Sequence, residues 1–154
     1  MRALKIILTG KIQKPFFKEA FAHYLKRTQH YIPVELVEIK EVKINDPEPR
    51  REKEGELILK RMNPKDLILA MDEQGSALSS RKLAADLAVW EEDPGFVPCF
   101  VIGGAYGMSE EVKSKAIRLI SLGPMTLPHE LAAVVLMEQI YRGFCINRGH
   151  PYHH

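Results

Sequence analysis

Phe100-Val101-Ile102-Gly103-Gly104-Ala105-Tyr106-Gly107 is an apolar strand that breaks into glycines, and further along Leu122-Gly123-Pro124-Met125-Thr126-Leu127-Pro128-His129 repeats the passage from apolar run to turn. Glycine at the carboxyl end of a buried strand permits a positive φ and lets backbone amides come close to a ligand. Two such strand exits in one chain point to a small-molecule crevice at one edge of an α/β sheet.

The segments on either side of these exits fit that architecture. Residues 4–9 form a β-rich apolar run ending at Gly10, and Phe17, Phe21, Tyr24 and Leu25 then recur at helical spacing to about Thr28. Residues 34–42 read as a second strand. Asn45-Asp46-Pro47-Glu48-Pro49 reads as an exposed loop, because two prolines remove donors and restrict the residues before them. A helix over 52–62 and a strand over 66–71 follow, the strand finishing at Asp72-Glu73-Gln74-Gly75. Ser79 or Ser80 can cap a helix carrying Leu83, Leu87 and Trp90, and Asp93-Pro94-Gly95 stops it before a strand over 97–102. Ser109 caps a further helix with Glu110 and Glu111 in its positive first turn. A last strand over 117–122 leads to Pro128, which opens a long helix to about Ile146. Strand and helix alternate throughout, which predicts one α/β domain over 1–154 with a mainly parallel sheet.

Composition sets the outer limits. A chain of 154 residues, 45% apolar and 27% charged, suits one soluble domain with a real core. No apolar run reaches the roughly 20 residues that span a bilayer, and the first residues carry a charge within the apolar stretch and no small-residue cleavage site. The expected location is the cytoplasm, with no membrane partner. Cys99 and Cys145 lack ligand spacing, so they read as reduced, packed thiols, and no metal is expected. A net charge of +2 does not by itself announce a nucleic-acid protein.

Common motifs are excluded in turn. There is no G-x-x-x-x-G-K-[ST], so no P-loop, and no G-x-S-x-G elbow of a serine hydrolase. GGAYG is not GxGxxG and comes late, without the downstream acid that holds a ribose in a dinucleotide fold. On its own the loop is equally readable as a tight strand-to-helix turn.

Met71-Asp72-Glu73-Gln74-Gly75, the Phe100 to Gly107 and Met125 to His129 segments, Glu138-Gln139-Ile140-Tyr141-Arg142 and Pro151-Tyr152-His153 together resemble the ribosomal large-subunit methyltransferase H family, of the SPOUT class. The resemblance spans essentially the whole chain. It implies an S-adenosylmethionine-dependent enzyme methylating N3 of a pseudouridine, position 1915, in 23S rRNA of the assembled ribosome. It also implies a homodimer and a carboxyl-terminal trefoil knot, a topology that periodicity cannot reveal. Carried over residue by residue, the cofactor contacts fall at Met71, Gly103, Gly104, Leu122, Gly123, Pro124, Met125, Thr126, Leu127 and Pro128. Ala133 departs from the family pattern, which usually carries arginine there.

The chemistry of these positions is compatible with that role. Glycines admit close backbone approach, while Met71, Leu122, Met125 and Leu127 can wall an apolar adenosine pocket or equally serve as core. Methylation of an imide nitrogen requires loss of its proton. Candidates for the base or for substrate orientation are His129, His153, Tyr152 and Arg142, with Glu138 in support. His129 is also a natural packing residue at a helix start, and Glu138 with Arg142 is also an ordinary i,i+4 pair. The terminal Arg148 to His154 reads as a lid or RNA contact, or else as a frayed end. Lys11, Lys14 and Lys18, and Arg50, Arg51 and Lys53, are phosphate contacts or a solvated face. The last helix is apolar on several sides, more than one core needs, and the excess suits an isologous dimer contact. A non-catalytic RNA- or ribosome-binding module that keeps the fold is the alternative reading.

Overall fold

The computed structural model describes residues 1 to 154. Its elements are β1 (Leu4–Thr9), α1 (Pro15–Thr28), β2 (Val34–Ile39), α2 (Pro47–Leu59), β3 (Asp66–Ala77), α3 (Ser80–Glu92), β4 (Val97–Ile102), α4 (Glu110–Lys115), β5 (Arg118–Ser121) and α5 (His129–Asn147). The strands form one sheet in the order β2-β1-β4-β3-β5, with every neighbouring pair parallel. This is the α/β class expected from the alternation.

Side chains alternate across a strand, so each strand feeds two cores. Leu4, Ile6 and Leu8 of β1 and Phe100 and Ile102 of β4 pack with Phe21 of α1, Leu83 and Leu87 of α3, and Leu136, Met137, Ile140 and Phe144 of α5. On the other face Ile7, Cys99 and Val101 meet Ile58 of α2 and Val112 of α4. Both cysteines are free and buried, and burial pushes the Cys99 thiol up to about 12. Ala133 belongs to the first core at 1% exposure.

The same alternation drives a charge inward. Lys5 is 2% exposed, and its ammonium donates to Asp66 Oδ2 at 2.9 Å and to the Arg61 carbonyl at 2.5 Å. Asp66 also accepts from the Asn63 amide at 2.9 Å, so neither charge is left without partners. The pair joins the amino ends of β1 and β3, the edge of the sheet opposite the strand exits.

Three expectations need correction. Residues 47–49 are not loop: α2 starts at Pro47, and both prolines lie in its first turn. Amides in a first turn have no intrahelical acceptor, so two missing donors cost nothing there, and the Arg50 amide still reaches the Asp46 carbonyl at 3.2 Å. β2 ends at Ile39 rather than Val42. β3 does not stop at 71. Met71 and Ser76 both register with Ile120 of β5, so 72–75 loop out and the strand resumes to Ala77. Gly75 makes this possible, since a Cβ there would lie 2.5 Å from the Leu119 carbonyl carbon.

Ser79 caps α3, its hydroxyl accepting from the Lys82 amide at 3.1 Å, and Ser109 caps α4 from the Val112 amide at 3.3 Å. Ser79→Ala is expected to cost about 1 kcal/mol of unfolding free energy, read as a lower urea midpoint at unchanged slope.

Candidate active site

The carboxyl ends of β3, β4 and β5 open into a cleft of about 1260 Å³. Met71, Gly103, Gly104, Leu122, Gly123, Met125, Thr126, Leu127 and Pro128 line it, and so does His129. Of the ten positions carried over for a cofactor, Pro124 alone does not reach the lining. A smaller recess of about 290 Å³ shares Met71, Ile120, Leu122 and Gly123 with the cleft and extends it toward Phe100 and Leu136.

At Gly103 and Gly104 glycine is needed for a reason other than positive φ. Gly103 and Gly104 are not among the residues with positive φ; Gly10, Gly107, Gly123 and Gly149 are. What both positions need is space. A Cβ on Gly103 would stand 2.8 Å from Gly107, to whose amide Gly104 offers its carbonyl at 3.0 Å. A Cβ on Gly104 would stand 2.7 Å from Glu54 Oε2 and 3.2 Å from Thr9 Cγ2. Left-handed backbone occurs at Gly107, which closes the loop with φ 82°, and at Gly123, with φ 131°, where the Ser121 hydroxyl accepts from the Gly123 amide and donates to its carbonyl.

Polar contacts join the walls of the cleft. Thr126 donates to Glu73 Oε2 at 2.6 Å, linking the loop after β5 to the loop within β3. Lys113 of α4 lies 2.9 Å from Asp72 Oδ2. Burial raises the Asp72 carboxyl, but the Lys113 ammonium and the Gln74 amide outweigh it and hold it below the ordinary carboxylate range. The native carboxyl is the stronger acid, so this link stabilises the fold fully above about pH 4, the unfolded value, and is lost as pH falls through the native value below it.

The tail forms a second cluster, away from the cleft. Arg142 Nη2 is 2.6 Å from Glu138 Oε1, the i,i+4 pair that the spacing suggests. Tyr152 donates to the same Glu138 oxygen at 2.9 Å, and Arg142 Nη1 lies 3.2 Å from His153 Nδ1. The Arg142 guanidinium sits 4.8 Å from the centre of the Tyr152 ring, which also meets Tyr141 edge-on at 4.8 Å. Burial, Tyr24 and Glu138 push the Tyr152 phenol above its ordinary value, so it is a donor at neutral pH. The tail is therefore docked rather than frayed. Arg142 lies thirteen positions after His129, about 20 Å along α5, so within one chain the two clusters do not meet.

Residues 1–153 match the family described as predicted SPOUT methyltransferase. The chain belongs to the SPOUT methyltransferase family. Among its relatives named ribosomal RNA large subunit methyltransferase H, the one from Solidesulfovibrio magneticus is 46% identical over 154 residues and covers all of both chains. Those from Nitratidesulfovibrio vulgaris and Syntrophotalea carbinolica are 44% and 43% identical, covering 100% and 96% of this chain and the same shares of their own. A solved structure of a probable methylase family protein from Haemophilus influenzae shares the fold at TM-score 0.54 and 11% identity, over 96% of this chain and 66% of that one.

Sequence reasoning did not single out three groups packed around this cleft. Glu130, 8% exposed in the first turn of α5, accepts from the Gln13 amide and, at 3.3 Å, from the Lys14 amide, and so pins the turn after β1 beside His129. Glu54 is 2% exposed and accepts from the Val42 amide and Arg50 Nε, both at 3.1 Å, while its Oε2 and the Thr9 hydroxyl have no partner. Both unpartnered atoms belong to the residues packed behind Gly104. An acid in the first turn of a helix is a readable signal for Glu130. Nothing local marks Glu54 or Thr9.

Proposed function

We propose that this chain transfers the methyl group of S-adenosylmethionine to N3 of a pseudouridine in 23S rRNA of the assembled ribosome, acting in the cytoplasm as a homodimer. The observation that carries the reading is the convergence of nine of the ten carried-over cofactor positions, from three separate strand ends, on one cleft. The full-length relatives named as rRNA methyltransferases support the same substrate class.

The residues present suit the cofactor. Met71, Ile102, Ile120, Leu122 and Leu127 offer apolar walls for an adenine, and the amides of Thr126 and Leu127 make no hydrogen bond within the chain. Bound there, S-adenosylmethionine supplies a methyl group on a positively charged sulfur. Methyl transfer to N3 would require the N3 proton to leave to a base of this chain or to water. In this reading His129, which lines the cleft, takes that proton or passes it to water. Tyr152, held protonated, orients the base rather than deprotonating it. Arg142 and His153 complete the orienting set.

Separation and surface together support the dimer. Leu131, Val134 and Val135 of α5 are only partly covered, on a stripe continuing to Glu138 and Arg142. Antiparallel packing of two such stripes sets the tail of one subunit beside the cleft of the other, which a single chain does not achieve. The knotted threading belongs to the same proposal. Its support is the sheet order, in which β5 pairs with β3, so that residues 122–128 leave beside the end of β3.

The test uses ribosomes from a strain lacking the gene. Mass spectrometry of their 23S rRNA should show an unmethylated pseudouridine that purified protein and S-adenosylmethionine convert. A modified nucleotide still present in the deletion strain ends the substrate claim. Calorimetric binding of S-adenosylmethionine distinguishes an enzyme from an RNA-binding module, which would give no heat.

A further inference from the structure

The mouth of the cleft is electrostatically two-sided. On the side formed by α2 and α4 it is lined by Glu48, Glu52, Glu56, Glu110 and Glu111, against Arg51 and Lys113. A phosphate backbone laid across that side meets an excess of negative charge. Next to His129 runs a second surface, made by the turn after β1 and the start of α1. It adjoins the site directly, since a Cβ on Gly10 would lie 3.4 Å from His129 Nε2 and Glu130 holds the Gln13 and Lys14 amides. Here Lys11, Lys14 and Lys18 are all exposed; of the nearby carboxylates, Glu130 is taken up by the Gln13 and Lys14 amides and Glu41 by Arg50, which leaves Glu19.

Between those lysines stands Phe16, 62% exposed. Its ring is braced edge-on against Phe17 with centroids 4.5 Å apart, and Lys14 Nζ lies 6.0 Å from the Phe17 centroid. A large aromatic held out in water among cations, at the rim of a nucleotide-sized cleft, matches how proteins hold unpaired RNA: bases stack on the ring while ammonium groups follow the phosphates.

We propose that Phe16 is a stacking platform for an unpaired base flanking the target nucleotide, and that Lys11, Lys14 and Lys18 track the adjoining phosphates. The inference rests on the rRNA-methyltransferase reading and adds to it the path of the RNA, over α1 and away from α2 and α4. Stacking calls for splayed-out bases, so the strand recognised is a loop rather than a duplex.

Binding to ribosomes from the deletion strain, measured over a range of salt, tests it. Phe16→Ala should weaken binding about tenfold or more while leaving the salt dependence unchanged, and Phe16→Trp should restore it. Changing Lys11, Lys14 and Lys18 together to Gln should weaken binding similarly and lower the slope of log affinity against log salt by about 2, at roughly 0.7 per phosphate contact on a single strand. Affinity for S-adenosylmethionine and sedimentation as a dimer should stay as in the unsubstituted protein. Unchanged ribosome affinity in both variants overturns the proposal, as does loss of the dimer in Phe16→Ala, which would make the patch a subunit contact. If the unsubstituted protein binds and methylates ribosomes while the variants match it, this inference alone fails. If it does neither, the functional reading fails with it.

Discussion

Removal of Tyr152, His153 and His154 is expected to abolish methylation of ribosomal RNA and to leave affinity for S-adenosylmethionine unchanged. The tail touches none of the cleft lining; it rests on α5 through Glu138, Arg142 and Tyr141. Its loss leaves the Glu138–Arg142 pair intact at 2.6 Å, so no buried charge is stranded and the fold survives. What disappears is orientation of the acceptor base, and misplacement by even an ångström costs about 10²-fold in rate. Single-turnover methylation of ribosomes checks the rate, and calorimetry checks the cofactor. Mixed dimers sharpen the result. A truncated subunit paired with a full-length subunit whose cleft is blocked should regain activity, because the surviving cleft faces the surviving tail. Full activity of the truncated homodimer rejects a catalytic tail.

Gly104→Val is expected to remove S-adenosylmethionine binding from a protein that still folds. Behind Gly104 stand Glu54 and Thr9, at 2% and 1% exposure, and the first added carbon already falls 2.7 Å from Glu54 Oε2. Glu54 is held by Val42 and Arg50 and has nowhere to go. The glycine loop must therefore shift into the cleft it lines, closing the space meant for the ligand. Overpacking of this kind costs about 1 to 3 kcal/mol, so the melting temperature falls by several degrees without loss of the dimer. Calorimetry at a temperature where the variant is folded gives the decisive number. Undiminished affinity would remove residues 103–104 from the site.

The sequence is most readable where short-range rules govern. Near-continuous apolar runs locate β1 and β4, Ser79 and Ser109 announce the helices that they cap, and Pro128 stands one position before α5. Pro47 and Pro49 mislead because a proline rule for helix interiors does not apply to a first turn. The return of β3 at Ser76 is invisible locally, since only pairing with Ile120 makes 76 and 77 a strand. The cleft is legible as a set of motifs, yet Thr9 and Glu54, which back Gly104, come from elements distant in sequence. Tyr152 and His153 fall on the far half of α5, a separation that no motif records.

The pairing of Ile6 with Phe100 in the middle of the sheet has a bearing on how the molecule is made. β1 emerges early during synthesis and has only β2 beside it until β4 arrives, after roughly two-thirds of the chain. A hydrophobic strand kept waiting is slow to find its partner and prone to aggregate, as long-range parallel pairing generally is. Nascent chains of this protein should thus depend on chaperones for most of translation, and overproduction at lower temperature should raise the soluble yield.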